Sequence, residues 1–133
     1  LHLVASGGEV SRIMLAMKKV LTADADTCVL VFDEIDSGIS GQVADKVGYK
    51  LATLAQEFQV ICISHLPQVA VYSEGHYLVE KQKAGARTIS QIIRLDGENS
   101  QREIARLLSG GEVTKASLAN AKNLIRRARE KIN

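Results

Sequence analysis

The stretch Val29 to Gly41, Val-Leu-Val-Phe-Asp-Glu-Ile-Asp-Ser-Gly-Ile-Ser-Gly, constrains the fold more than any other part of the chain. Its four apolar residues, Val29 to Phe32, run without a polar interruption and stop at Asp33 and Glu34, with Asp36 two residues on. Such a run predicts a strand covered on both faces, as in a parallel sheet flanked by helices. Ligands of open parallel sheets bind outside the carboxyl ends of the strands. An acidic cluster at that edge suits a divalent cation, because magnesium takes one or two carboxylates alongside phosphates and water.

A helix is predicted next, beginning near Ser40, with Val43, Val47, Leu51, Leu54 and Ala55 at helical spacing. Gln59 to Ser64 then reads as a second buried strand, Val-Ile-Cys-Ile, ending at Ser64-His65. Strand, helix and strand in about 35 residues make a parallel crossover. The crossover sets His65 beside the acidic cluster and ahead of Leu66-Pro67, where a proline suits a helix start. His2 and His76 are read as carrying no chemistry, and Cys28 and Cys62 as small buried hydrophobes.

Before the first strand, Ala5-Ser6-Gly7-Gly8-Glu9 precedes an amphipathic pattern with Ile13, Met14, Met17, Val20 and Leu21 on one side. Ser6 and Glu9 have the form of a capping box. The two glycines have no place in that box, and at a helix start they allow a phosphate to approach the free amides. After the second strand, His76 to Gln82 and Arg87 to Leu95 are predicted to form a hairpin around Lys83-Ala84-Gly85-Ala86. Ser100 and Glu103 read as a capping box that opens a short helix through Leu108, stopped by Gly110 and Gly111. The second Ser-Gly-Gly-Glu-Val, Ser109 to Val113, closes a helix rather than opening one, so carbonyls dominate there and it is set aside. A last helix, about Thr114 to Ile132, carries Lys122, Arg126, Arg127, Arg129 and Lys131, read as a solvated face that complements the helix dipole.

One domain is the expectation for 133 residues that are 46% hydrophobic. With 17 basic against 15 acidic residues, charge alone predicts neither nucleic acid nor membrane binding. No apolar run reaches the length of a membrane span, and two cysteines do not make a disulfide framework, so the chain reads as soluble and intracellular.

Taken together, these motifs resemble those of the ABC-type ATPases. Ala5 to Glu9 resembles the signature motif, Val29 to Glu34 the Walker B strand, Asp36 to Ser40 the D-loop that follows it, and Ser64-His65 the switch histidine. Within that superfamily, Asp33 to Gly41 and Ile63 to Ala70 look like the SMC-like ATPases of bacterial DNA repair, and the resemblance covers nearly the whole chain. It implies an α/β fold, the C-terminal lobe of an ABC/SMC-type P-loop ATPase head, with a β-hairpin and C-terminal helices, spanning residues 1–133. It implies ATP and Mg²⁺ as cofactors, with Asp33 at the metal through water, Glu34 acting on the attacking water, and His65 at the γ-phosphate. Ser6, Gly7, Gly8 and Glu9 would serve the ATP of an opposite protomer, and Asp36, Ser37 and Gly38 would bind cofactor as the D-loop.

No Gly-x-x-x-x-Gly-Lys-Ser/Thr occurs, so the cradle for the phosphates is missing. The D-loop position often filled by aspartate is Ser40. The expected partners are therefore an N-terminal P-loop lobe of the same protein, a second head protomer, and DNA through the full-length protein, with no membrane and a cytoplasmic, nucleoid-associated setting. The fragment alone is expected to be inactive. Two other readings stay open: a metal-dependent phosphoesterase or nuclease built on Asp33, Glu34 and Asp36 with His65, and a non-catalytic docking module.

Overall fold

The structure is a computed structural model and describes residues 29–132 except Ser37, Ser40, Gly85 and Ala86. The expected signature segment, Ser6 to Glu9, and the helix after it lie outside the described residues, as do Cys28 and His2.

Strand β1 (Val29–Asp33) pairs in parallel with β2 (Gln59–Ile63), in the register Val29 with Gln59 through Asp33 with Ile63. Helix α1 (Gly41–Leu54) connects them. Its buried stripe is Ala44, Val47, Gly48, Leu51 and Leu54. The sequence pattern finds three of these five. Val43 is half-buried, Ala55 is exposed beyond the helix end, and Ala44 and Gly48 are small residues that apolar periodicity under-weights.

Among the described residues, cover lies on the face of the sheet that meets α1; the residues before Val29, which bear on the expectation of a doubly covered strand, lie outside them. Leu30 and Phe32 are buried against α1, with Val60 and Cys62 packed beside them. Val29, Val31, Ile61 and Ile63 on the other face are 46–65% exposed. The crossover helix α1 by itself covers one face.

After β2 comes the single turn α2 (Pro67–Ala70), with Pro67 at its first position and the carbonyl of Leu66 accepting from Val69 and Ala70. It crosses α1 closely at Gly48. A Cβ there would meet Tyr72 Cδ2 at 2.5 Å and the Gln68 carbonyl at 2.9 Å, so only glycine fits this crossing.

Strands β3 (His76–Ala84) and β4 (Arg87–Leu95) form an antiparallel hairpin, as expected. Helix α3 (Gly97–Ser109) follows and starts earlier than the Ser100-Glu103 pattern predicts. Its N-cap is Asp96, whose carboxylate accepts from Asn99 N–H at 2.8 Å. Ser100 instead holds His76 Nδ1 at 2.7 Å, and Glu103 makes a two-pronged ion pair with Arg106 at 2.7 and 2.8 Å. Aspartate one turn upstream reaches the free amides first, which leaves both residues of the apparent box inside the helix. Gly110, at φ 72°, ends α3 as predicted, its N–H returning to the Arg106 carbonyl.

Helix α4 (Lys115–Ile132) opens on a reciprocal cap between Thr114 and Ser117, at 2.9 and 3.0 Å. It packs on α3 around the buried Ile104, with Ala105, Ala121 and Ala128 as small side chains that let the helices approach. Lys122, Arg126, Arg127, Arg129 and Lys131 are on its exposed side, as expected of a solvated face. Lys131 also reaches back 86 residues to Asp45 on α1, at 2.5 Å, and Tyr72 donates to the same carboxylate at 2.8 Å. Among the described residues no helix is long and apolar enough to cross a membrane.

Candidate functional site

Parallel pairing in register brings the chain after β1 and the chain after β2 to the same sheet edge. Glu34 extends the pairing by one step, its N–H donating to the Ile63 carbonyl at 3.2 Å. It then turns into the left-handed region at φ 48°, where a non-glycine residue is strained by about 1–2 kcal/mol. Strain of this kind survives only where surrounding contacts fix it, and it gathers at functional sites. The carboxylates of Asp33 and Glu34 both stand in solvent at this edge.

Asp36 is different. It is 1% exposed, and its side chain faces the chain after β2. Oδ2 accepts the Ser64 hydroxyl in a very short hydrogen bond, the His65 N–H at 3.1 Å and the Leu66 N–H at 3.3 Å. Ser64 Oγ in turn accepts from Leu66 N–H at 3.1 Å. The turn that presents Asp36 is closed by Ile39 N–H donating to its carbonyl at 3.3 Å. Among the described residues Oδ1 is buried without a hydrogen-bond partner.

The His65 ring lies outside this network. Nδ1 stands 3.5 Å from Asp36 Oδ2, too far for a good hydrogen bond, and the side chain is 73% exposed. Its backbone is thus held firmly while its imidazole is largely exposed. Nearby, burial and then the negative charge of Asp36 push the Cys62 thiol up to about 11, so it is a packing residue and not a nucleophile.

The structure therefore brings together Asp33, Glu34, Asp36 and His65. Ser37 lies outside the described residues, and Gly38 is an exposed turn glycine at φ 76°. Among the described residues no group of three or more His, Cys, Asp or Glu side chains is placed to hold a metal ion together. Sequence reasoning missed the bond from Ser64 to Asp36. The available signal was a third acid in a loop that already had two, followed by a serine at the end of the partner strand.

No family model matches the chain. Among curated proteins it is similar to DNA repair protein RecN of Vibrio cholerae, 46% identical over 122 residues, 92% of this chain and 22% of that protein. It is also similar to DNA repair protein RecN of Bacillus subtilis, 39% identical over 125 residues, 94% of this chain and 22% of that protein. The RecN of Rickettsia conorii is 47% identical over 122 residues, with the same 92% and 22% coverage. A solved chain described under "Structural biochemistry of ATP-driven dimerization and DNA stimulated activation of SMC ATPases" matches with a TM-score of 0.54 at 15% identity, covering 79% of this chain and 60% of that one. That likeness gives the α/β fold. The sequence likeness to these RecN proteins runs along nearly all of this chain, which spans about 22% of their length.

Proposed function

We propose that this chain is the C-terminal portion of the head of an SMC-like DNA repair ATPase, the portion that supplies the hydrolytic edge. The observation that carries this reading is the meeting of Glu34 and His65 at one edge of a parallel sheet, each just past a strand end. Phosphoryl transfer asks for such positioning, since catalysis there is mostly orientation and charge stabilisation.

Glu34, exposed and fixed by its strained backbone, orients and deprotonates the water that attacks the γ-phosphate. Asp33 is a hard oxygen donor at a strand end, which fits a magnesium site of one carboxylate with phosphates and water. When bound, the cation neutralises charge on the phosphates. His65 offers a free ring nitrogen to the γ-phosphate. Ser6, Gly7, Gly8 and Glu9, with Ser37 and Gly38, serve nucleotide held on a second protomer, and Asp36 belongs to the same loop. The phosphate cradle comes from an N-terminal P-loop lobe of the same protein, and the open face of Val29, Val31, Ile61 and Ile63 is apolar surface available for such a lobe to cover. DNA is reached through the full-length protein.

The experiment is Glu34→Gln in the complete protein. The amide keeps the shape and loses the base, so turnover falls at least about 100-fold while ATP binding is retained. Unchanged turnover removes Glu34 from the mechanism, and robust ATP hydrolysis by the 133-residue chain alone removes the need for a P-loop lobe. A phosphoesterase built on all three carboxylates is not favoured, because Asp36 turns inward to Ser64 and not outward beside Asp33 and Glu34.

A further inference from the structure

Asp36 is a buried acid that no hydrolytic step uses, yet it carries three of the contacts that define the edge. Its single oxygen Oδ2 gathers the Ser64 hydroxyl and the two successive amides of His65 and Leu66. These donors lie 28 to 30 residues away in sequence. Successive amides converging on one carboxylate oxygen leave that stretch of backbone little freedom, because charge-assisted hydrogen bonds are roughly twice as strong as neutral ones.

The geometry divides the work within His65. Its N–H is bound to Asp36, while its ring is 73% exposed and holds no short bond. On the other side, Asp36 sits two residues after Glu34, in a turn closed on its own carbonyl. One buried carboxylate thus ties the backbone of His65 to the loop that follows the exposed Glu34.

We propose that Asp36 is a positioning residue: by clamping Ser64, His65 and Leu66 it sets the His65 ring relative to Glu34 and keeps the two strand ends in one arrangement. This rests on the reading of His65 as a γ-phosphate contact and goes beyond it by making the position of the ring depend on a buried side chain of the neighbouring loop. Without Asp36 the amides of His65 and Leu66 lose their acceptor, and the switch backbone gains alternative conformations.

The test uses the complete protein with Asp36→Ala, Asp36→Asn, Ser64→Ala, His65→Ala and the double variant Asp36→Ala/His65→Ala. Turnover is measured against ATP concentration, and amide exchange of a peptide spanning Ile63 to Pro67 is followed by mass spectrometry. Asp36→Ala lowers kcat about 10- to 100-fold with KM for ATP changed less than about threefold, and speeds exchange of the peptide about tenfold. Asp36→Asn, which keeps an acceptor oxygen, restores part of both. In the His65→Ala background Asp36→Ala costs nothing further, because it acts through the ring already removed. Equal losses in both backgrounds, or unchanged exchange, overturn the proposal. If His65→Ala is slow and Asp36→Ala is normal, the proposal alone fails. If His65→Ala itself turns over normally, the γ-phosphate reading fails and takes the proposal with it. Ser64→Ala, which removes only the hydroxyl link, gives the same pattern more weakly and decides the matter should Asp36→Ala not fold.

Discussion

The two faces of the β1–β2 sheet are made of the same kinds of residue and meet different fates. Leu30 and Phe32 are each 8% exposed, while Val29 and Val31, alternating with them in one strand, are 46% and 65% exposed. What separates them is not hydrophobicity but which face α1 covers. Among the described residues, the Leu30 face is a finished core, whereas the Val31 face lies open beside two exposed carboxylates. Substitutions on the two faces should therefore differ by several kcal/mol in the stability of this chain, although a hydropathy count treats them alike.

The largest effect belongs to the covered face. Phe32→Ala removes a ring packed among Leu30, Val47 and Leu51 and is expected to cost about 3–5 kcal/mol. Urea unfolding of the chain measures it. A loss below about 1 kcal/mol would mean that the covered face is no better packed than the open one.

Gly48→Ala attacks the same core from the helix side and is expected to cost about 1–3 kcal/mol, as overpacking does. The added carbon collides with the Tyr72 ring, which can shift, and with the Gln68 carbonyl, which is backbone and cannot easily do so. A drop in the melting temperature without loss of secondary structure is the expected readout.

Much of this half was legible because its signals are local. The apolar run marked β1, helical spacing found Val47, Leu51 and Leu54, and the parallel crossover brought His65 to the acidic edge. The rest turned on competition between equivalent local choices. Ser100 and Glu103 spell a capping box, but Asp96 reaches the first turn before them. Asp36 looks like a third metal-edge carboxylate until the turn at Ile39 faces it inward. Whether a strand is covered once or twice is not written in the strand at all, since it depends on how many helices reach the sheet. The Asp45, Tyr72 and Lys131 network joins residues 86 positions apart, beyond any motif.

That network gives a smaller effect, on a surface where water competes. Burial acts to raise the Asp45 carboxyl, but the hydrogen bonds from Lys131 and Tyr72 and the charge of Lys131 outweigh it, so its pKa is held below the ordinary value. A carboxyl depressed in the folded state stabilises above its unfolded pKa, about 4, and loses that contribution as pH falls through the folded value. Lys131→Met should cost about 0.2–1 kcal/mol at pH 7, with the difference from wild type shrinking below about pH 4. A gap that stays constant down to pH 2 would show that Lys131 contributes by packing its stem and not by its charge.

The smallest effect returns to the open face. Val31→Thr keeps the branched shape that suits a strand and exchanges one exposed methyl for a hydroxyl, so it should change the stability of this chain by less than about 0.5 kcal/mol. In the complete protein the same substitution reads differently if a P-loop lobe covers that face. A hydroxyl without a partner would then be buried, costing about 1–3 kcal/mol. Unfolding of the chain and of the complete protein, each with and without Val31→Thr, measures both terms. A near-zero effect in the chain with a clear loss in the complete protein is the outcome expected of a face that is finished only by another part of the molecule. Equal, small effects in both would leave Val31 at a true surface, and the contrast between the two faces of the sheet would be permanent.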